Sequence, residues 1–490
     1  MKARPSLTTG PIGPALLLFA LPTLGSSVLQ SANGSIDAVW VGRLIGENAL
    51  AATTNGNLVL FLLTAFVFGF GMASTILIGQ SVGRGDMVAA REVVGTAIGT
   101  FVPLTAVIAV LGWIYAPELL AALGTPAETV PLAIDFLRVI FAAMPAVLML
   151  TLLMMALRGS GDAVTPLIFM AIAVVLDTVL NPLFILGLGP LPAMGIGGSA
   201  LATALANYVS LIGMLIYIYA KDLPLRLRGA EMRLLIPTPS VLKLMLSKGL
   251  PIGIQMVVVS SSMLTMLTLV NREGVDTAAA FGATQQLWTY VQMPAMALGA
   301  AVSAMAAQNI GAGRWDRVRR ITQLGIGYNI VLTGGLVVAL FFADRWVMEL
   351  FLAPGSPAIE IGRHIGQVST WGFICFGVTM VLFGTIRANG QVIWPLIILF
   401  VSMYPVRLGF AFGLRDWLGT DALWLSFPAA MVSTLIMATA LYLQGGWRKA
   451  PVMRFDESRI KAAPAEISVV AEGAPARNPN APATGQAPNI

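Results

Sequence analysis

The sequence predicts an all-α polytopic membrane protein, with 12 transmembrane helices in two pseudo-symmetric six-helix lobes. Three observations predict it. Of 490 residues, 57% are apolar and 11% charged, and the mean hydropathy is +0.83, whereas a soluble chain carries about a quarter charged residues. Apolar runs of about twenty residues, each enough to cross a ~30 Å hydrocarbon layer as a helix, recur along nearly the whole length. Short motifs also return at a nearly constant offset: "LP" at 21–22 and 250–251, and Arg158, Gly161 and Pro166 against Arg387, Gly390 and Pro395, all 229 residues apart. "GQSVGRGD" (79–86) returns as "AQNIGAGR" (307–314) with a one-residue slip.

The expected spans, in order, are 14–42, 56–79, 93–115, 132–157, 164–187, 197–220, 246–270, 279–308, 320–343, 365–386, 391–414 and 421–444. The first follows Lys2 and Arg4 but is too long for a signal-peptide core and lacks a small-x-small cleavage site, so it reads as a spanning helix. With the N-terminus inside, 22 of the 29 Lys and Arg residues are cytoplasmic. Arg43, Arg138, Arg272, Arg345, Arg363 and Arg415 fall outside, and Arg407 lies within a span. This asymmetry follows the positive-inside rule, places both termini in the cytoplasm of a cell (inner) membrane protein, and argues against reading the net charge of +6 as a nucleic-acid footprint. The expected organisation is an N-terminal lobe (1–220), a basic linker (221–248), a C-terminal lobe (249–445) and a disordered cytoplasmic tail (446–490). Each half holds an even number of spans, so the copies share one orientation, with a substrate cavity at their interface. Cys375 is the only cysteine, which excludes an intrachain disulfide.

Among the acidic residues, only Asp37 and Asp177 fall well inside spans. A carboxylate there costs at least ~2.5 kcal/mol and marks a functional site by default. In the first span Ser26, Gln30, Asn33 and Asp37 are spaced 4, 3 and 4, one face of a helix. In the fifth, Asp177 and Asn181 share a face. A polar stripe facing lipid is expensive, so both faces should line a packed or wet interior. The two carboxylates are expected at roughly 8 and 15 Å below the outer surface, bridged by one water or cation. Burial and a like-charged neighbour both favour the protonated form, as a proton-coupled cycle requires. The oxygen set of Asp37, Asp177, Asn181 and Thr203 also suits a Na⁺ ion.

"DAVWVGRLIGENALAA" (37–52), "GQSVGRGD" with its later echo, "RGSGD", "LNPLFILG" before "GIGGSALAT", and "YPVRLGFA" together resemble the multidrug and toxic compound extrusion (MATE) family over residues 10–445. The resemblance implies an antiporter that exports organic cations or amphiphiles in exchange for inward H⁺ or Na⁺ and needs no cofactor beyond the coupling ion. It marks Asp37 in the first helix and Thr203 in the sixth. In the fifth helix the chain departs from the family pattern: Asn181 precedes Pro182 and the carboxylate stands one turn earlier, at Asp177. H⁺ and Na⁺ therefore both stay open.

The 24 methionines fit an adaptable cavity. Met263, Met266, Gln30, Gln285, Thr289, Gln292 and Arg407 are its candidate lining, and Pro22 and Pro251 are equivalent candidate hinges. Arg407 is equally well read as a structural group capping helix ends broken near Pro405. The repeated Gln80-Gly83-Gly85 and Gln308-Gly311-Gly313 turns point to fold support rather than chemistry.

An enzyme is not expected. There is no GxxxxGK[ST] loop for an ATP-driven pump. The only histidine, His364, lies on the opposite side of the membrane from Ser160. The nearest rival is a lipid-linked oligosaccharide or lipid flippase, which should line its cavity with several basic residues where this chain has Arg407 alone. A non-transporting scaffold would leave both buried carboxylates unexplained. The expected partners are small amphiphilic or cationic molecules and membrane lipid, with no nucleic acid, and the chain is expected to act as a monomer.

Overall fold

The computed structural model describes residues 7–122, 129–187, 192–353 and 355–449, and for 47–62 the backbone only. Lys2, Arg4 and residues 450–490 of the expected tail lie outside these residues. The first four residues of that tail, 446–449, form a 3₁₀ turn that buries Trp447 against Ile386 and Ala388, so regular structure runs past the expected boundary. The N-terminal half contains α1 (Ile12–Leu44), α2 (Glu47–Arg84), α3 (Met87–Ile114), a short α4 (Ala116–Ala122), α5 (Val130–Gly159), α6 (Val164–Leu186) and α7 (Gly195–Ala220). The C-terminal half contains α8 (Pro239–Asn271), α9 (Val275–Gly311), α10 (Trp315–Glu349), α11 (Ala358–Ser369), α12 (Gly372–Ala388), α13 (Ile393–Val401), α14 (Arg407–Gly413), α15 (Arg415–Leu418) and α16 (Asp421–Gln444). No strand occurs among the described residues.

Eleven of these segments are long and apolar enough to span a membrane, and α11 with α12 forms a twelfth, bent by 46° across Thr370 and Trp371. The bend has a partner network: Trp288 Nε1 donates to Thr370 Oγ1 at 3.0 Å, and Ser369 Oγ donates to the Trp424 carbonyl at 2.8 Å. The eleventh span is also irregular. A π-turn at Ser402–Val406, containing Pro405, separates α13 from α14. Proline supplies no N–H, so the regular i−4 ladder cannot run through it.

α8 begins at Pro239, so the last residues of the expected 221–248 linker are already helical. The preceding 3₁₀ turn (Gly229–Leu235) is docked on α3. Arg91 pairs with Glu231 at 2.5 Å, Thr238 Oγ1 donates to Glu92 at 2.9 Å, and Gly95 and Gly99 admit the backbone of Leu234 and Leu235 where a Cβ would clash.

Each half packs on itself, α2 with α5 and α6 with α7 in the first, α9 with α12 and α12 with α16 in the second. The halves meet through α2 against α8 and α9, and α1 against α9. An apolar cluster of Leu16, Phe19, Ala20, Leu298, Ala301 and Met305 fills the α1–α9 contact. Across α2 and α8, Gly69 faces Gly249 and Gly253, where any added Cβ would meet backbone atoms. Gly-xxx-Gly spacing on α8 permits this backbone approach, as at other membrane helix pairs. Pro251 lies between those glycines. The end of the molecule bearing Arg84, Arg158, Arg314, Arg317, Arg319, Arg320, Arg387 and Arg448 is called the basic face below.

Candidate functional site: a carboxylate–carboxamide ring

Residues 33 and 37 of α1 meet residues 177 and 181 of α6 in the same order, so the two helices run side by side in one direction. Four side chains close a ring. Asn33 Nδ2 donates to Asp37 Oδ2 at 3.2 Å and to Asp177 Oδ2 at 2.8 Å. Asn181 Nδ2 donates to Asp37 Oδ1 at 2.9 Å and to Asp177 Oδ1 at 3.2 Å. An amide nitrogen carries two hydrogens, so both donors are fully used and each carboxylate oxygen receives one. The bridge expected from a water or cation is made by two carboxamides.

From α7, Thr203 Oγ1 lies 3.2 Å from Asp177 Oδ1 and 3.3 Å from the Ser199 carbonyl. Asn207 Nδ2 continues that face, donating to the Thr203 carbonyl at 2.8 Å. Asp177 is 1% exposed and Asn181 fully buried, whereas Asn33 and Asp37 are half-buried. The ring thus has a closed back and an open front. The carbonyl oxygens Oδ1 of Asn33 and Asn181 are buried without a hydrogen-bond partner. A proton on either carboxyl, or a small cation, would supply what these oxygens lack.

The five expected coupling residues are therefore together, and the rest of the expected stripe is not. Ser26 Oγ donates to the Pro22 carbonyl at 3.0 Å, and Gln30 is exposed. In the C-terminal half Gln285, Thr289, Gln292 and Met263 are half-buried, and Thr289 Oγ1 donates to the carbonyl of Gln285. Met266, expected on the cavity, is fully buried in an apolar cluster with Phe281, Trp288 and Phe427. It packs there because it is the core-facing member of its helical repeat. Arg407 caps no helix end: its guanidinium contacts two methionine sulfurs and the Phe427 ring. Pro22 and Pro251 both sit inside unbroken helices.

The repeated glutamine–glycine turns join the two halves. Gln80 Nε2 donates to the Ala388 carbonyl at 2.8 Å, and Gln308 Nε2 donates to the Gly159 carbonyl at 3.0 Å. The donors are 228 residues apart and the acceptors 229, so one contact is the duplicate of the other. Gly83 lies against the Gln308 backbone and Gly311 against the Gln80 backbone. Asn309 Nδ2, Arg314 and Arg317 also reach the carbonyls of Leu7, Thr8 and Gly10. The two halves are latched together at the basic face. The spacing was visible in the sequence, but which backbone each glutamine meets was not.

The MatE family model matches residues 22–183 and again 251–412, offset by 229 at both ends. The probable multidrug resistance protein YoeA of Bacillus subtilis is 32% identical over 455 residues, 92% of this chain and 97% of that protein. A protein of Shewanella oneidensis named an FAD transporter is 28% identical over 360 residues, 72% of this chain and 77% of that protein. A solved outward-facing multidrug resistance MATE transporter shares the fold, with a TM-score of 0.82 at 21% identity over 91% of this chain and 98% of that one. Matched twice by the family model and aligned nearly end to end with a relative at this identity, the chain belongs to the MATE family of multidrug efflux transporters.

Proposed function

We propose that the protein exports amphiphilic or cationic small molecules across the cell membrane in exchange for inward protons, with the ring of Asp37, Asn33, Asp177 and Asn181 as the coupling site. The observation that carries this is the ring itself. Two buried-to-half-buried carboxylates share every donor of two carboxamides, in a membrane where isolated charge is strongly disfavoured. Adding one proton changes the net charge from −2 to −1 and turns an acceptor oxygen into a donor that the unpartnered Asn33 Oδ1 or Asn181 Oδ1 can accept. The donor pattern of the ring cannot survive that unchanged, so protonation bears on the packing of α1 against α6.

The positive-inside rule makes the basic face cytoplasmic. Its latch of Gln80, Gln308 and their glycines then closes the cavity to the cytoplasm, the state in which the ring awaits protons from outside. Opening the latch would hand the cavity to the cytoplasm, as alternating access requires.

A second reading has its own support: the same two orphaned amide oxygens, with Thr203 Oγ1 and the carboxylates, would make an all-oxygen Na⁺ site. Proteoliposomes separate the two. Export of a fluorescent lipophilic cation is followed under a pH gradient or a Na⁺ gradient, for wild type, Asp37→Asn and Asp177→Asn. Transport driven by the pH gradient alone and lost in both variants, with folding retained, supports the proton ring. Drive by Na⁺ alone transfers the site to the metal. Dye movement under neither gradient defeats the multidrug reading.

A further inference from the structure

The C-terminal half contains a buried cation with no anion beside it. Arg407, the first residue of α14 after the π-turn, is 5% exposed. Its guanidinium stacks on Phe427, 3.8 Å from the ring centroid. Nη1 lies 3.7 Å from Met403 Sδ and Nη2 lies 3.5 Å from Met263 Sδ, while Nε has no partner. Thioether sulfur is a weak acceptor. No described carboxylate is paired with Arg407; in this half Glu273 pairs with Arg415, Asp344 with Arg363, and Asp421 with His364.

Arg387, by contrast, stacks on Phe383 and also bonds the Gln255 side-chain oxygen. Arg407 has the ring and two sulfurs alone. A ring face and two sulfurs compensate a desolvated guanidinium poorly. A buried arginine kept for packing would be expected to bond a carbonyl, and the π-turn beside it offers several.

Two further features describe the missing partner. Both sulfurs sit on flexible methionine side chains that can withdraw. Behind them the π-turn is pinned, since Ser262 Oγ donates to the Met403 carbonyl at 3.1 Å, so the backbone from which Arg407 projects is held in place. In the duplicated halves Arg407 stands at the place of Thr178, next to Asp177. The two copies thus carry opposite charge at equivalent depth.

We infer that Arg407 anchors an anion subsite, which takes the carboxylate or phosphate of an amphiphile whose apolar body lies against Phe427, Met263 and Met403. The planar fork of arginine matches either group with two parallel hydrogen bonds. This rests on the reading of the protein as a carrier of amphiphiles and narrows it: substrates include molecules bearing an acid group, not cations alone. The burial of Arg407 favours a substrate entering the lobe over a lipid headgroup resting on its surface.

Equilibrium binding to the full-length protein in neutral phosphatidylcholine nanodiscs tests it with matched dansyl probes of one chain length, ending in carboxylate, phosphate, primary amide or trimethylammonium. Wild type should bind the carboxylate and phosphate at least tenfold more tightly than the amide. Arg407→Gln should remove that preference, and Arg407→Lys should keep part of it. Equal affinity of wild type for carboxylate and amide overturns the inference, and does so even if Arg407→Gln fails to fold. Anionic phosphatidylglycerol in the disc that displaces the acid probes shows that lipid phosphate fills the subsite and overturns the substrate assignment. The assay involves no gradient. Asp37→Asn with intact carboxylate binding but no driven transport supports this subsite, whereas gradient-driven transport absent from wild type defeats only the antiport reading.

Discussion

The latch at the basic face makes a quantitative demand on Gly83 and Gly311. A Cβ on Gly83 would run into the carbonyl oxygen of Gln308, with the Gln308 carbonyl carbon and Cα at 2.7 and 2.9 Å, and a Cβ on Gly311 would meet Gln80 in the same way, at 2.8 and 2.9 Å. These obstacles are backbone, so no rotamer change removes them. Overpacking of this kind costs about 1–3 kcal/mol. If the opened state carries no such contact, the whole cost falls on the closed state, and the equilibrium shifts by roughly 5- to 150-fold. With Cys375→Ser as background, Ser81→Cys places a reporter in the buried turn beside the contact. Its labelling by a charged maleimide, applied from the basic-face side of oriented vesicles, should accelerate within that range when Gly83→Ala or Gly311→Ala is added. Both together should accelerate it further, because the closed state bears both clashes and the opened state neither, until the opened state predominates. Folded variants that label at the parental rate would refute the latch.

Further changes test individual contacts. Thr203→Val keeps the shape but removes the hydroxyl beside Asp177, and should slow gradient-driven transport about fivefold, the equivalent of one ~1 kcal/mol hydrogen bond; Thr203→Ser should retain most of the rate. Trp288→Phe leaves Thr370 Oγ1 without its donor at the bend between α11 and α12, and should lower thermal stability in detergent by about 1–3 kcal/mol. Asn329, fully buried against Gly377 with both amide atoms unpaired, presents the opposite case. Asn329→Leu conserves volume and removes an unsatisfied group, so the melting temperature should rise, and a fall would assign Asn329 a partner in the membrane.

The spans and the duplication were legible because hydropathy and a fixed offset are one-dimensional signals. The ring was legible in its membership: Asn33 and Asp37 share a face of one helix, Asp177 and Asn181 of another, and both pairs are too polar for lipid. How the pairs interlock depends on the stagger of α1 against α6, which no spacing within either helix encodes. The same limit hid the latch, whose partners are more than 140 residues apart. Met266 shows a different failure: a methionine at helical spacing looks the same whether its face meets a cavity or Phe281 and Trp288. At the bend and the π-turn, hydropathy runs on without interruption while the backbone does not.

Because α1 and α6 run in the same direction, the ring behaves like a vernier between two scales. As the helices stand, each acid is level with an amide on its neighbour, 33 with 177 and 37 with 181. A slide of one turn, ~5.4 Å, would bring Asp37 level with Asp177 and leave Asn33 opposite Ala173. Asp37 and Asp177 already interact across the ring as it stands, and such a slide would strip away the carboxamides that bridge them, which a pair of charged acids tolerates only with a proton shared between them. On the proposed coupling, the register of the two helices would be tied to a charge count, so that a displacement large enough to be felt across a lobe would turn on a single hydrogen nucleus.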